Sequence, residues 1–186
     1  MGLATFKGGI HPYEGKELSM SKPVSVLQPK GEMVFPLSQH IGAPAKPLVA
    51  KGDHVLVGQK IGEPGGFISA CIISSVSGTV KSLEPRMVAN GAMVPSIIVE
   101  NDGMYETVEG FGEDRDPKTL SKEEIRNIVK EAGIVGLGGA GFPTHVKLTP
   151  KDESAIDTII VNGAECEPYL TSDYRMMLEE PLSIIK

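Results

Sequence analysis

The chain has 186 residues and a mass of 19.8 kDa, enough for one medium domain or two small ones. Hydrophobic residues make up 40% of it and charged residues 23%, a globular composition rather than a disordered one. The formal net charge of −6 argues against a nucleic-acid-binding surface, because such a surface needs a concentrated basic field.

Cysteine content and hydropathy narrow the class of protein further. Cys71 and Cys166 alone are too few for a disulfide framework, a four-thiolate zinc site or an iron–sulfur cluster. No apolar run approaches the ~18–20 residues that span a bilayer, and no secretory leader is visible. We therefore expect a soluble chain, and a membrane-attached partner stays open.

The first hundred residues divide into an arm and a β-rich region. Residues 1–30 mix Gly, Pro and Lys with little periodicity, and we predict an extended arm that wraps a domain. Residues 31–100 consist of short apolar runs separated by turn residues, which is an all-β pattern. These runs are Met33–Leu37, Pro47–Ala50, His54–Val57, Ile68–Ser74, Gly78–Leu83 and Ser96–Glu100.

One stretch of this region is informative about the type of β domain. GDHVLVGQKIGE at 52–63 is followed by SVSGTV at 75–80. Gly52 and Gly58 stand where hairpins need positive φ, and the residues expected to face inward are Val55, Val57, Ile61 and Val80. This pattern resembles the lipoyl- or biotinyl-type barrel-sandwich hybrid. Carrier domains of that type present a lysine between these two elements, but the interval 61–80 contains none, so a scaffold or docking barrel is the better interpretation.

Helical signals follow an acidic segment at 101–119, which we predict to be a linker. Ser121 and Glu124 form a capping box, Ile125, Ile128, Val129 and Ala132 supply an apolar face, and Gly133 ends the helix.

Further along, Ile156–Val161 is typical of a buried parallel strand. Thr171–Glu180 is predicted as a second helix, capped by Thr171 or Ser172. An apolar helical pattern is still beginning at 181–186, so we expect the chain to stop within a domain.

The segment between the first helix and the predicted strand is rich in glycine. VGLGGAGFPTHVKL at 135–148 contains a GxGxxG pattern, but it follows a helix and ends in Phe-Pro, which disfavours an orthodox dinucleotide turn. The glycines would leave backbone N–H groups free to approach a phosphate or a planar ring. Pro143 and Thr144 suit the start of a helix whose positive end faces that ligand, and Lys147 would add a charge. The alternative is that the glycines allow two elements to pack closely.

An acidic turn follows the predicted strand. Asn162, Glu165 and Glu167 stand just beyond its carboxyl end, where open α/β sheets bind their ligands. Carboxylates at this place either coordinate a metal or accept hydrogen bonds. A metal is disfavoured because His145 alone supplies no histidine set.

Long motifs in both halves carry a family resemblance. GLGGAGFPTHVK at 136–147 and VNGAECEPYLTSD at 161–173 resemble the flavin- and NADH-binding domain of RnfC, a component of the Rnf electron-transport complexes. More distantly, they resemble the flavin subunit of respiratory complex I and the cobalamin reductase of propanediol microcompartments. Residues 6–12, 36–63 and 75–84 resemble the barrel-sandwich domain of RnfC. The resemblance implies a mixed fold: an all-β barrel-sandwich hybrid at 31–100, then the first part of a Rossmann-like α/β flavin and NADH domain at 120–186.

The resemblance also implies roles for single residues. Lys147 would lie near the FMN phosphate, and Asn162 and Glu165 near its ring or ribityl chain. Phe142 would stack on the nicotinamide nucleotide, and Glu167 would meet its ribose or adenine side. The backbone cradle for FMN would comprise Gly136, Gly138, Gly139, Ala140 and Gly141. No residue is implied as a catalytic acid or base. The glycine loop and the acidic turn would converge on one isoalloxazine nucleotide.

The implied activity is NADH–FMN electron input to a membrane-bound, ion-translocating ferredoxin:NAD oxidoreductase. The chain would lie peripherally at the cytoplasmic side of the membrane, with other Rnf subunits and NADH as partners and ferredoxin as an indirect one. The family carries two cysteine-rich motifs for [4Fe–4S] clusters whose ligands are missing here, so we expect an N-terminal fragment that binds flavin weakly or not at all. The alternative is a non-catalytic scaffold or docking module.

Single positions depart from the pattern of the complex I flavin protein. Leu137 replaces a basic residue in the loop, Ala164 replaces an aspartate, and Pro150 stands where a stacking aromatic is expected. Two glutamates flank Cys166, and their negative charge argues against a reactive thiolate there. Cys71 lies in an apolar run and is predicted to be a core residue.

Overall fold

The computed structural model describes residues 8–10, 12–137 and 139–185. The chain divides into two compact units. The larger one is Gln28–Ile156, and the smaller one combines the segment that ends at Leu27 with the segment that begins at Asp157. Gly138, part of the predicted cradle, and His11 lie outside the described residues.

The larger unit is built on seven strands in two antiparallel sheets. The strands are β1 (Glu32–Pro36), β2 (Lys46–Pro47), β3 (His54–Val55), β4 (Lys60–Glu63), β5 (Ile72–Ile73), β6 (Gly78–Met87) and β7 (Met93–Asn101). The first sheet has the order β1-β7-β6-β3 and the second the order β2-β4-β5. The predicted all-β region is confirmed, because each predicted apolar run contains or overlaps one of these strands.

Apolar side chains from both sheets form the core. Val55 and Ile61 have no exposed surface, and Val80 is 1% exposed. Each fully buried side chain of this size stabilises the fold by about 1.5–3 kcal/mol. Val57 is only partly buried. The complete buried cluster is Phe35, Leu37, Ala45, Val55, Ile61, Ile72, Val76, Val80, Ile97 and Val99.

Glycines make the tight turns of the barrel, as the sequence predicts. Gly52 has a φ of +96° and Gly58 a φ of +84°. Hydrogen bonds continue beyond β7: the Val57 amide donates to the Glu106 carbonyl oxygen at 2.8 Å, and the Val108 amide donates to the Val57 carbonyl oxygen at 3.0 Å. Residues 106–108 are therefore bonded to the barrel.

The C-terminal end of helix α1 (Lys122–Glu131) is bonded to the second sheet, where the Lys60 ammonium of β4 donates to the Glu131 carboxylate at 2.5 Å. Its capping box is present, with the Ser121 hydroxyl accepting from the Glu124 amide and the Glu124 carboxylate accepting from the Ser121 amide. Gly133 ends the helix with a φ of +67°, and a Cβ there would stand 2.5 Å from the Cys71 carbonyl oxygen. Only glycine allows this close approach.

The predicted buried strand at Ile156–Val161 is wrong for this structure. The segment forms no strand, and Ile159 and Ile160 are 87% and 86% exposed. A strand needs neighbouring strands to satisfy its backbone N–H and C=O groups. The described residues of the smaller unit, to which Asp157–Val161 belong, contain helices but no strand.

The smaller unit consists of α3 (Ser172–Glu179), α4 (Pro181–Ile185) and an N-terminal segment that lies along α3. The predicted second helix is confirmed, with Thr171 at its N-cap position. The Thr171 hydroxyl lies 2.8 Å from the Ser19 hydroxyl rather than capping the helix. Arg175 donates to the Met20 carbonyl oxygen at 3.1 Å. These bonds fix the N-terminal segment on α3.

Candidate functional site

The glycine loop is a closed hairpin-like turn that follows α1. At its base the Gly136 amide donates to the Phe142 carbonyl oxygen at 3.0 Å, and the Thr144 amide donates to the Ile134 carbonyl oxygen at 3.0 Å. Val135 and Pro143 form an antiparallel bridge in the same stem. Gly139 and Ala140 are thereby presented at the tip of the loop, where both are exposed.

One edge of this loop lies on the barrel. The Ile41 amide donates to the Ala140 carbonyl oxygen at 3.0 Å. Gly141 is buried, has a φ of +62°, and a Cβ there would stand 2.8 Å from the Gln39 carbonyl oxygen and 3.0 Å from the His40 Cα. At Gly141, therefore, the missing side chain serves close packing, as the structural alternative predicts.

His40 supports the barrel segment on which the loop rests. Its side chain is buried, its Nε2 accepts from the Ala70 amide at 3.1 Å, and its Nδ1 lies 3.1 Å from the Ile41 carbonyl oxygen. Because an amide can only donate and a carbonyl can only accept, this pair of bonds requires the neutral ring with its proton on Nδ1. Sequence reasoning assigned no role to Gln39, His40 or Ile41, although they lie in the motif at 36–63.

The loop is open at Gly139. Apart from its chain neighbours, no residue that the structure describes has an atom within 4 Å of a Cβ built on Gly139, whereas a Cβ on Gly136 would stand 3.3 Å from the Lys147 Nζ. Lys147 thus places its ammonium group beside Gly136. Phe142 is half-buried. The loop therefore offers an uncovered stretch of backbone and one nearby cation.

The helix after the loop is shorter than expected. α2 (Thr144–Lys147) has four residues, and Pro143 at its N-cap makes no side-chain capping bond. A single turn has only a small macrodipole, since the dipole is the sum over aligned peptide units. Backbone amides and Lys147 are therefore better groups for an anion here than the helix end.

A basic groove lies between α1 and α2. Its lining includes Lys122, Arg126, Lys130 and His145. The His145 Nδ1 is buried without a hydrogen-bond partner, and burial, followed by the charge of Lys130, lowers the pKa of His145. Glu153 accepts from both Lys122 and Arg126, which neutralises much of this groove.

The acidic turn belongs to the smaller unit, where other elements hold it. The Asn162 Oδ1 accepts from the Ala164 amide at 3.0 Å, and the Glu165 Oε1 accepts from the Tyr174 amide at 3.0 Å. Glu165 thus caps the first turn of α3, a role that sequence reasoning missed. Glu167 lines a cavity of about 300 Å³ together with Glu165, Cys166, Pro168, Ile10, Pro12, Glu14 and Lys16.

The barrel contains a serine, an aspartate and a histidine in contact, but in an unproductive order. The Ser77 hydroxyl donates to the Asp102 Oδ1 at 2.7 Å, and the His54 Nε2 lies 3.3 Å from the Asp102 Oδ2. Nucleophilic catalysis needs the histidine beside the serine to remove its proton. Here Asp102 stands between them and Ser77 is fully buried, so the cluster is structural.

Two further kinds of feature are absent from the described part of the chain. Among residues 8–10, 12–137 and 139–185, no three His, Cys, Asp or Glu side chains are grouped as metal ligands. Within the same residues, every helix is too short or too polar to cross a bilayer.

Two family models match the chain. The model described as the RnfC barrel sandwich hybrid domain matches residues 4–104, and the model described as the Nuo51 FMN-binding domain matches residues 129–186. The second match contains both the glycine loop and the acidic turn.

Curated relatives, all named as the C component of an oxidoreductase complex, match along nearly the whole chain. The one from the proton-translocating ferredoxin:NAD(+) oxidoreductase complex of Clostridium ljungdahlii is 44% identical over 183 residues, covering 98% of this chain and 40% of that protein. Its counterpart in the Na(+)-translocating complex of Acetobacterium woodii is 44% identical over 184 residues, covering 97% and 41%. The counterpart in the ion-translocating oxidoreductase complex of Haemophilus influenzae is 40% identical over 186 residues, covering 99% and 28%.

The chain thus spans about two-fifths of the length of the first two relatives. The first family model alone covers more than half of the chain, and the names of the relatives agree with it. The chain therefore belongs to the RnfC family.

Proposed function

We propose that this chain is the N-terminal part of the NADH/FMN electron-input subunit of an ion-translocating ferredoxin:NAD oxidoreductase. Two matches support this proposal. Residues 129–186 match a domain described as FMN-binding, and the relatives are named as subunits of ferredoxin:NAD(+) oxidoreductase complexes. The observation that carries it is the glycine loop, with an open backbone edge at Gly139 and the Lys147 ammonium beside Gly136.

The glycine loop fits a flavin nucleotide in two respects. The open space at Gly139 would be narrowed by any side chain, so glycine keeps the backbone accessible to a planar group. Lys147 supplies a compact cation of the kind that binds phosphate as a point charge. No charged residue stands at the loop tip itself, which suits an uncharged ring there.

We carry over the binding roles that the resemblance to the flavin and NADH domain implies. Lys147 would hold the phosphate, and Asn162 and Glu165 would hold the ring or ribityl chain. Phe142 would stack on NAD(H), and Glu167 would bind its ribose or adenine side. The cradle comprises Gly136, Gly138, Gly139, Ala140 and Gly141. Bound FMN would supply a hydride acceptor that passes electrons on, and the protein would contribute orientation and electrostatic tuning.

The proposal also covers the domain organisation of the chain, its location and its partners. We keep the division into an arm at 1–30, a barrel at 31–100, a linker at 101–119 and an incomplete, Rossmann-like α/β domain at 120–186. In the complex, the chain would lie peripherally at the cytoplasmic side of the membrane. Other Rnf subunits and NADH are its proposed partners, with ferredoxin and the [4Fe–4S] clusters reached beyond this chain.

A comparison of FMN with riboflavin tests the phosphate role. Replacing Lys147 by Ala should weaken FMN binding by about tenfold or more, because a hydrogen bond to a charged group contributes about 1.5–3 kcal/mol. Riboflavin lacks the phosphate, so its affinity should not change. Lys151→Ala removes an exposed lysine four residues away and is the matched control. Equal effects on FMN and riboflavin, or no effect on FMN, would contradict the assignment.

One observation favours the second candidate, a scaffold that binds no flavin. Gly141 is fully accounted for by its packing on Gln39 and His40. The absorbance spectrum of the purified chain after incubation with FMN separates the two candidates. A flavin spectrum that is bleached by NADH supports electron input, whereas a chain that retains no flavin at millimolar FMN supports the scaffold.

A further inference from the structure

We propose that the barrel forms one wall of the flavin site, so that the ring lies between the glycine loop and the turn joining β6 to β7. This inference rests on the proposed function and deepens it. It assigns ligand-contacting residues to the barrel domain, which sequence reasoning treated as a scaffold.

A cleft lies between the glycine loop and the barrel, bordered by the edge at which Ala140 and Gly141 touch the 38–41 loop. Its volume is about 500 Å³, within the roughly 300–1,000 Å³ of small-molecule sites. Glycine-loop residues form one side, and two barrel segments, the 38–41 loop and the β6–β7 turn, form the other. The lining residues are Ser38, Gln39, His40, Ile41, Val88, Ala89, Asn90, Gly139, Ala140 and Gly141.

The chemistry of this lining selects the uncharged part of the nucleotide. None of the described lining residues is an acid, a lysine or an arginine. Val88, Ala89 and Ile41 offer apolar surface, while Ser38, Gln39 and Asn90 offer hydroxyl and amide groups. A wall of this kind matches a planar heteroaromatic ring with polar edges, whereas the phosphate would go to Lys147.

The spacing between the two sides of the cleft is fixed by direct contacts. The Ile41 amide binds the Ala140 carbonyl oxygen, and Gly141 lies on Gln39 and His40. His40 is held in turn by the Ala70 amide. The glycine loop therefore cannot shift without disturbing the barrel segment that forms the facing wall.

The β6–β7 turn is itself well ordered by hydrogen bonds. The Val88 amide donates to the Ala92 carbonyl oxygen at 2.9 Å, and the Gly91 amide donates to the Val88 carbonyl oxygen at 2.8 Å. The Asn90 Oδ1 accepts from the Ala92 amide at 2.9 Å, so this oxygen is used within the turn. The NH₂ group of Asn90, which carries two donors, is then the part of the side chain suited to a ligand.

Amide NMR of the labelled 186-residue chain, titrated with FMN to millimolar concentration, tests the wall even if binding is weak. We expect the resonances of Gly139, Ala140, Ala89 and Asn90 all to shift with the same dependence on FMN concentration. Ala89→Trp should fill the cleft and weaken FMN binding by about tenfold or more. Ala92→Trp introduces the same side chain three residues along the same turn, outside the cleft lining, and should leave the affinity within twofold.

A second variant keeps the test decisive if Ala89→Trp disturbs folding. Asn90→Asp retains the oxygen that accepts from Ala92 but removes both NH₂ donors, so it should weaken FMN and riboflavin alike. One outcome is that FMN shifts the resonances of Gly139 and Ala140 but not those of the β6–β7 turn, with both variants binding FMN as tightly as the native chain. That result overturns the barrel wall and leaves the proposed function standing. If FMN leaves Gly139 and Ala140 unshifted at millimolar concentration, both are overturned.

Discussion

Gly141 lies against the main chain of Gln39, with the position of a Cβ on Gly141 only 2.8 Å from the Gln39 carbonyl oxygen. At Gly139, two residues earlier in the same loop, no described residue beyond the chain neighbours has an atom within 4 Å of the equivalent position. The two glycines therefore have different physical roles.

Alanine substitution should separate these roles. Gly141→Ala places a side chain at a φ of +62°, which costs roughly 1–2 kcal/mol before the clash with Gln39 is counted. Gly139→Ala should be neutral or stabilise the fold by about 0.4–1 kcal/mol, because it restricts the unfolded chain without strain. Urea unfolding measures both. Equal free energies of unfolding for the two variants would contradict the packing of the loop on the barrel.

The N-terminus of α1 offers a test of local helix stability. Ser121→Ala removes the side-chain cap and should lower the free energy of unfolding by about 1 kcal/mol. Thr119→Ala, just outside the helix, is the control. The Ser121 hydroxyl and backbone amide lower the pKa of Glu124. The stabilisation that ionised Glu124 provides is therefore present above the ordinary glutamate pKa. It is lost as the pH falls through the lowered pKa of Glu124. If the free energy of unfolding depends on pH in the acidic range in the same way in Ser121→Ala as in the native chain, this coupling is contradicted.

Glu153 should titrate at unusually low pH. Hydrogen bonds from Arg126 and then Lys122 lower its pKa to about 2. Carboxyl-carbon NMR should show this value in the native chain, a large upward shift in Arg126→Gln and a smaller one in Lys122→Gln. Since the folded pKa is depressed, the stabilisation is present above the ordinary glutamate pKa and lost as the pH falls towards 2. A titration in the native chain at the ordinary glutamate pKa would show that these contacts do not persist in solution.

The two thiols should differ sharply in accessibility. Cys71 is buried, and its burial raises the pKa of the thiol, so a thiol reagent should reach it only when the fold opens. Cys166 is exposed and should react first. Cys166→Ser should abolish the fast phase, while Cys71→Ser should leave it intact. A fast phase that survives in Cys166→Ser would contradict the placement of Cys71 in the core.

Features governed by local chemistry could be predicted from the sequence. The capping box of Ser121 and Glu124, the helix stop at Gly133 and the positive φ of Gly52 and Gly58 each depend on a few adjacent residues. The barrel strands follow from alternating apolar runs with turn residues between them. Cys71 is confirmed as a core residue for the same reason.

Features that depend on distant partners could not be predicted. Ile156–Val161 has the composition of a strand, but strand formation needs hydrogen-bonding neighbours that composition does not reveal. The contact of Gly141 with Gln39 joins residues far apart in the chain, and no local rule indicates it. Glu165 binds the Tyr174 amide nine residues away, beyond the span of a capping box.

The bond between Ile41 and Ala140 has a consequence for dividing this chain. Residues 120–186 expressed alone would lose the surface on which Ala140 and Gly141 rest, and the glycine loop would then sample many shapes. An engineer who wishes to transplant that loop into another scaffold must carry the segment around His40 with it. Within residues 28–156, the barrel and the glycine loop belong to a single compact unit.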